Sequence, residues 1–127
     1  LRQAKIKPEQ VQHLNAHATS TPVGDIGEIN AIKHLFGESA TLAITSTKSA
    51  TGHLLGAAGG LETIFTVLAL RDQIVPATLN LENLDPAAKG LNIVAGKALP
   101  HEITYALSNG FGFGGVNASI LLKRWVE

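Results

Sequence analysis

Residues 52–70 constrain this chain more than any other stretch. They are apolar on nearly every side of a helical projection, and Glu62 is the one charge inside the apolar run. A helix of that kind is buried on most of its surface. It needs covering layers on both sides, and a chain of 127 residues has few elements left to supply them. Burying Glu62 unpaired is very costly, so it calls for a cation, a hydrogen-bond network or a water channel, unless it faces solvent. The run 54–70 holds Gly56, Gly59 and Gly60 as well as Glu62, and falls short of the ~20 apolar residues of a spanning helix. Gly52, Gly56 and Gly60 do have the small-xxx-small spacing of packed membrane helices. Close packing inside a core accounts for it better, so no membrane is expected.

The rest of the composition agrees with a covered surface. Charged residues are 16%, against about 25% in an ordinary globular domain. Aromatics are 5%, so the core is built from Ala, Leu, Ile and Val. Ten Lys+Arg balance ten Asp+Glu, which excludes a strongly basic nucleic-acid binder and an acidic tail. Cys is 0, which excludes disulfides, thiolate metal sites and a cysteine nucleophile within these residues. Met is also 0 and the first residue is Leu1, so a fragment or trimmed product is expected. The polar start (Arg2, Gln3, Lys5, Lys7) is not a signal peptide. A secreted protein is therefore not expected.

Hydrophobic patterning predicts an α/β layered domain of order β-α-β-α-β-β-β-β, with no linker and no internal repeat. Pro8-Glu9-Gln10 reads as a helix start and 11–15 as a strand. Asp25 is expected to cap a helix through Phe36, with Ile26, Ile29, Ile32, Leu35 and Phe36 on one face and Gly37 ending it. Segments 41–46, 74–79, 91–94, 103–107 and 118–122 read as strands. Residues 52–70 read as the buried helix.

Four segments carry candidate chemistry. His13 and His17 have i, i+4 spacing, but Leu14 stands where a helical zinc motif has Glu, and no third ligand is evident. His13, His34 and His101 are therefore structural or surface residues. Segment 17–25, His-Ala-Thr-Ser-Thr-Pro-Val-Gly-Asp, puts an imidazole and three hydroxyls at a strand-to-helix junction, where ligands meet side chains and backbone N–H groups. An ordinary hydroxyl-rich turn is the alternative. Segment 47–53, Thr-Lys-Ser-Ala-Thr-Gly-His, is a second such junction, with Lys48 and His53 beside the buried helix. His53 at that helix's N-terminus is expected to be neutral and able to donate one hydrogen bond to a developing oxyanion. The alternative is a bystander beside a capping Ser49 or Thr51. Two such loops at the same end of neighbouring strands favour function, because ligands bind at the carboxyl ends of α/β sheets. Segment 110–115, Gly-Phe-Gly-Phe-Gly-Gly, contains G-x-G-x-x-G, but β-like residues follow and no acid lies about 20 positions on, so the dinucleotide reading is rejected. The glycines instead permit a sharp, mobile turn that places Phe111 and Phe113; a β-turn with two core aromatics is the alternative.

Three of these runs in register resemble the β-ketoacyl-[acyl carrier protein] synthases, elongating condensing enzymes of the thiolase fold. They are Asn15-Ala-His-Ala-Thr-Ser-Thr-Pro-Val-Gly-Asp25, Thr47-Lys-Ser-Ala-Thr-Gly-His-Leu-Leu-Gly-Ala-Ala-Gly59 and Ser108-Asn-Gly-Phe-Gly-Phe-Gly-Gly115. The wording is closest to the type II fatty-acid enzymes, with Ala18 where most bacterial members carry Gly. The resemblance implies the C-terminal part of a thiolase-like layered α/β/α fold, with a mixed sheet and a buried central helix. Residues 1–127 are then an incomplete half-domain whose N-terminal counterpart carries the nucleophilic cysteine.

The resemblance also implies roles. His17 and His53 hydrogen-bond the thioester carbonyl of malonyl-carrier protein, Lys48 is the lysine beside the histidine pair, and Glu28 is its acidic partner. Thr19 and Thr21 line the pantetheine arm. Phe113, with its backbone N–H, matches the gate and part of the acyl oxyanion hole, and Phe111 and Gly112 on the same loop are further substrate-binding residues. Asn15, Glu62, Ser108 and Asn109 match a monovalent-cation site seen in some members. No cofactor is required beyond that cation. The implied partners are acyl carrier protein in its acyl and malonyl forms, the N-terminal half, and a second copy in a homodimer. The alternative function is a non-catalytic partner subunit of the chain-length-factor kind, or a separate binding module. Retention of both histidines and Lys48 argues against the former.

Overall fold

Alternation of strands and helices along the chain sets the layers. The computed structural model describes residues 1–126. Strand β1 (His13–Asn15) leads to helix α1 (Pro22–Phe36), β2 (Ala43–Thr45), the one-turn helix α2 (Lys48–Thr51) and helix α3 (Ala58–Asp72). Strands β3 (Ile74–Val75), β4 (Asn92–Ile93), β5 (Leu99–Pro100), β6 (Tyr105–Phe111) and β7 (Asn117–Lys123) follow. Five strands form one sheet in the order β4-β2-β1-β6-β7. The first four are mutually parallel, as helical crossovers require, and β7 returns antiparallel to β6. Strands β3 and β5 make a separate antiparallel ribbon.

Side chains alternate across the sheet, so each strand feeds two cores. Leu14, Ile44 and Leu107 pack with Ile32 of α1 and with Val11, Leu42 and Leu91. Ala43 and Ala106 point the other way and pack with Ala69 and Leu70 of α3, Val75, Val94 and Ile103. Alanine at both sheet positions under α3 leaves room for that helix to lie close. This is the expected α/β fold with a mixed sheet, and it places the carboxyl ends of β2, β1 and β6 side by side.

Several local expectations are corrected. Residues 52–70 are not one helix. Gly52 takes a positive φ of 73° and ends α2, a 3₁₀ turn spans Leu55–Ala57, and α3 begins only at Ala58. His53 therefore lies between two helical pieces, not at the N-terminus of a long helix. Helix α1 starts at Pro22 with Thr21 as N-cap, three residues before Asp25, because proline is pre-organised for the first helical position. Of its expected apolar face, Ile32 is buried while Ile26 and Leu35 are exposed. The strands at 41–46, 74–79 and 91–94 shorten to two or three residues, and 103–107 shifts to Tyr105–Phe111. Strand β5 was not foreseen in the pattern.

Helix α3 is covered on one side within these residues. Its buried positions are Ala58, Glu62, Thr66, Ala69 and Leu70, while Ile64 and Val67 stand 56% and 46% exposed. Glu62 and Thr66 face the sheet together with Ala58, Ala69 and Leu70, while the branched apolar Ile64 and Val67 face outward, so the exposed side of the helix is itself apolar.

Candidate active site

The three runs singled out in the sequence all leave the carboxyl ends of adjacent parallel strands: 17–25 after β1, 47–53 after β2 and 110–115 at the end of β6. Convergence there is the physical reason they meet. The His17 and His53 rings lie edge to face with centroids 5.4 Å apart, and the Phe111 ring is 5.7 Å from His17. They line an open cleft of about 710 Å³ together with Thr19, Thr21, Gly112 and Phe113. Glu62 reaches the floor of the same cleft.

Glu28 explains why His17 sits where it does. One turn or more into α1 and buried, its carboxylate accepts the His17 N–H (Oε1, 3.0 Å) and the Ala18 N–H (Oε2, 2.8 Å). The Asn109 carboxamide donates a third bond to Oε1 at 3.1 Å. Glu28 therefore grips the backbone of the His17 loop and ties it to β6, and its side chain does not reach the cleft lining. Asn109 is held in turn by Ser119, whose hydroxyl donates to its Oδ1 at 2.7 Å.

The two imidazoles are prepared as donors. Burial, and then the nearby Lys48 charge, hold the His17 pKa below the ordinary histidine value, so its ring is neutral at pH 7. In His53, Nδ1 accepts the Leu55 backbone N–H at 3.2 Å. A backbone N–H only donates, so a neutral His53 carries its proton on Nε2 and offers it as a donor.

Lys48 and Glu62 come together as a buried ion pair between Nζ and Oε1, their side chains 4% and 2% exposed. This settles what neutralises Glu62: the cation is Lys48. The second carboxylate oxygen, Oε2, is buried without a hydrogen-bond partner. The loop that delivers Lys48 is fixed by Asn15, whose Oδ1 accepts the Thr47 N–H (3.2 Å) and hydroxyl (3.3 Å), and whose Nδ2 lies 3.3 Å from the Glu62 carbonyl. Sequence reasoning missed this Asn15–Thr47 lock. Its signal, two small polar residues ending neighbouring strands, is too common to single out.

The remaining residues fall unevenly. The Thr19 and Thr21 hydroxyls pair at 3.2 Å. Phe113 is fully exposed at the tip of the glycine turn, not a core aromatic, and Gly114 and Gly115 hold positive φ of 75° and 82°. Of the suggested cation set, Asn15, Glu62 and Ser108 face the α3 side of the sheet. The Asn109 side chain lies on the opposite side with Glu28. With Asn15 Oδ1 engaged by Thr47 and Glu62 neutralised by Lys48, these four side chains do not fit a cation together. His13 is buried in β1, with Nδ1–H donating to the Ala43 carbonyl at 3.0 Å, and burial pushes its pKa down to about 4. It is structural, while His34 is exposed and His101 is half-buried with its Nε2 2.8 Å from the Thr41 carbonyl. A second cleft of about 340 Å³, under α1, holds no histidine or lysine.

A thiolase-like layered α/β scaffold whose strand ends gather a histidine pair and a buried lysine defines a class of condensing-enzyme half-folds. Comparison with known proteins agrees. The profile of the family "Beta-ketoacyl synthase, C-terminal domain" matches residues 1–82. The chain is 52% identical over 123 residues to 3-oxoacyl-[acyl-carrier-protein] synthase 2 of Staphylococcus aureus (strain COL), covering 96% of this chain and 30% of the relative. A beta-ketoacyl synthase from Burkholderia phymatum STM815 superposes with a TM-score of 0.94 at 39% identity, over 99% of this chain and 30% of that one. A type II polyketide acyl-carrier protein in complex with its ketosynthase superposes with a TM-score of 0.92 at 36% identity, over 98% of this chain and 31% of that one. The chain belongs to the beta-ketoacyl synthase C-terminal domain family. It spans about 30% of the length of the curated relatives it matches.

Proposed function

We propose that these residues form the C-terminal part of a fatty-acid condensing enzyme, a 3-oxoacyl-[acyl carrier protein] synthase of the type II elongating kind. They supply the His17, His53 and Lys48 portion of its active site. The observation that carries the reading is the pair of imidazoles, His17 and His53, with ring centroids 5.4 Å apart over one cleft. The acyl group rides as a thioester on a cysteine outside this chain, as the family resemblance implies. The malonyl thioester carbonyl accepts hydrogen bonds from both imidazoles. The bond to its carboxylate breaks, carbon dioxide leaves, and the electron pair moves onto the thioester oxygen as an enolate. The two donors stabilise that developing charge. The enolate carbon then attacks the acyl carbonyl, a carbon–carbon bond forms, and the cysteine thiolate leaves.

Lys48 adds positive potential while Glu62 keeps it anchored, and its charge adds to burial in holding the His17 pKa down. Glu28 positions His17 without touching substrate. Thr19 and Thr21 bind the pantetheine arm of acyl carrier protein, the partner class seen with the polyketide ketosynthase. Residues of the glycine turn cover the acyl thioester. No step runs through a metal. The enzyme works as a homodimer in the bacterial cytoplasm or an organellar matrix, as the family resemblance implies. A non-catalytic partner subunit would have no use for two imidazoles and a buried lysine.

The test is made in the complete synthase, measuring acyl transfer to the cysteine and malonyl decarboxylation separately. His17→Ala and His53→Ala are each expected to lower decarboxylation about 10²–10³-fold, with acyl transfer largely intact. If His17→Ala instead blocks acylation alone, the assigned role is wrong.

A further inference from the structure

Thr21 is the N-cap of α1, with extended backbone, yet its hydroxyl accepts no helix N–H. An N-cap threonine ordinarily turns its oxygen onto the N–H of the second or third helical residue. Here the oxygen is turned away, to 3.2 Å from the Thr19 hydroxyl. What permits this is the third helical residue, Gly24. A Cβ built there would stand 2.5 Å from Thr21 Oγ1, a distance real Cβ atoms do not tolerate, and 3.9 Å from Thr19 Oγ1. Gly24 has ordinary helical φ, so no backbone strain demands glycine. Within a helix, glycine is less favourable than alanine. The residue costs the helix something and leaves the Thr21 hydroxyl a place to rest.

We infer that Gly24 is a positioning residue for substrate binding: the missing side chain holds the Thr21 hydroxyl against Thr19 on the cleft wall. The inference rests on the reading of Thr19 and Thr21 as the hydroxyls that meet the pantetheine arm. Thr21 Oγ1 is the end of a side chain with one rotatable bond, so an added methyl at position 24 displaces it by rotation and leaves the fold intact. The displaced oxygen is then free to cap the helix.

The experiment compares Gly24→Ala, Thr21→Ala and the double variant in the complete synthase, with malonyl-[acyl carrier protein] as the probe. Gly24→Ala is expected to raise KM roughly threefold to tenfold, the value of one neutral hydrogen bond, with kcat within about twofold and the melting temperature unchanged or raised. In the Thr21→Ala background, Gly24→Ala is expected to add nothing, because the group it acts through is gone. If Thr21→Ala raises KM and Gly24→Ala does not, the inference fails while the reading of the threonines stands. If Thr21→Ala itself keeps the parent KM, that reading fails and the inference with it. A fully additive double variant, or a fall in melting temperature on Gly24→Ala, shows that Gly24 acts through packing and overturns the positioning role.

Discussion

His13 shows how much a single buried ring dictates. It lies in the middle of the sheet at 1% exposure, donating from Nδ1 to Ala43 O, while Nε2 is buried without a partner. Desolvation is the main cause of its depressed pKa of about 4, and the charge of His101 adds to it. The folded state therefore binds this proton more weakly than the unfolded chain, whose histidine titrates near 6.5. The neutral ring favours folding fully above about pH 6.5, and that advantage is lost as pH falls toward 4. By pH 5 the loss amounts to about 2 kcal/mol. Denaturant unfolding at dilute protein is expected to show the parent chain losing about that much more than His13→Gln between pH 7.5 and pH 5. The two proteins share every other ionisable group, so the difference isolates His13. Parallel pH profiles would mean that the ring is accessible or finds a partner for its proton. The same alternation that buries His13 carries Asn15, two residues on, to the Lys48 loop.

At the scale of elements, the glycine turn after β6 is the piece whose sequence and structure agree most closely. Four glycines around two aromatics predict a turn of little rotational restraint, and positive φ at Gly114 and Gly115 is what glycine is there to allow. Phe113 stands fully exposed at its tip while Phe111 packs against His17. A buried Phe→Ala costs about 3–5 kcal/mol, but no such burial exists at 113. Phe113→Ala is expected to change stability by less than about 1 kcal/mol and to let malonyl decarboxylation run ahead of acylation. Thermal melting and uncoupled carbon dioxide release measure the two separately; a large stability loss without uncoupling sinks the gate. Elsewhere the legibility of the chain followed the strength of local signals. The His17 loop, the Lys48 loop and the sheet they leave were readable because hydroxyl-rich, glycine-bearing runs interrupt apolar strands. The break at Gly52–Ala57 was not, because apolar residues on both sides of it continue a helical pattern and only backbone dihedrals mark the stop. The Lys48–Glu62 pair was hidden for the same reason: the two residues sit in different helices, and no periodicity links them.

At the scale of the whole molecule, the apolar outer face of α3 and the sparse charge describe the same property. A compact monomer of 13.3 kDa is expected to expose roughly 6,450 Å², and this chain exposes 7886 Å². The excess of about 1,400 Å² is larger than the ~800 Å² that one partner buries in a standard interface. Its composition is apolar where it matters: Ile64 and Val67 on the outer side of α3, with Leu55, Phe113 and Val116 around the mouth of the cleft, are all exposed. Glu62 and Thr66 meanwhile occupy the inner side, where Lys48 pairs with one Glu62 carboxylate oxygen and the Thr66 hydroxyl donates to the Glu62 carbonyl. Buried polar groups are thus committed to the site, and the apolar side of the helix is left for another layer, as the covered central helix of the family resemblance requires. Apolar surface of this extent drives association in water. The 127-residue chain by itself is therefore expected to self-associate and to bind an apolar fluorescent dye, as read by light scattering and dye emission. Replacing Ile64 with Glu and Val67 with Lys is expected to reduce both signals while circular dichroism keeps its helical content, since neither side chain contributes to the two cores. A parent chain that runs as a monodisperse monomer and leaves the dye dark would show that the outer face of α3 needs no further layer.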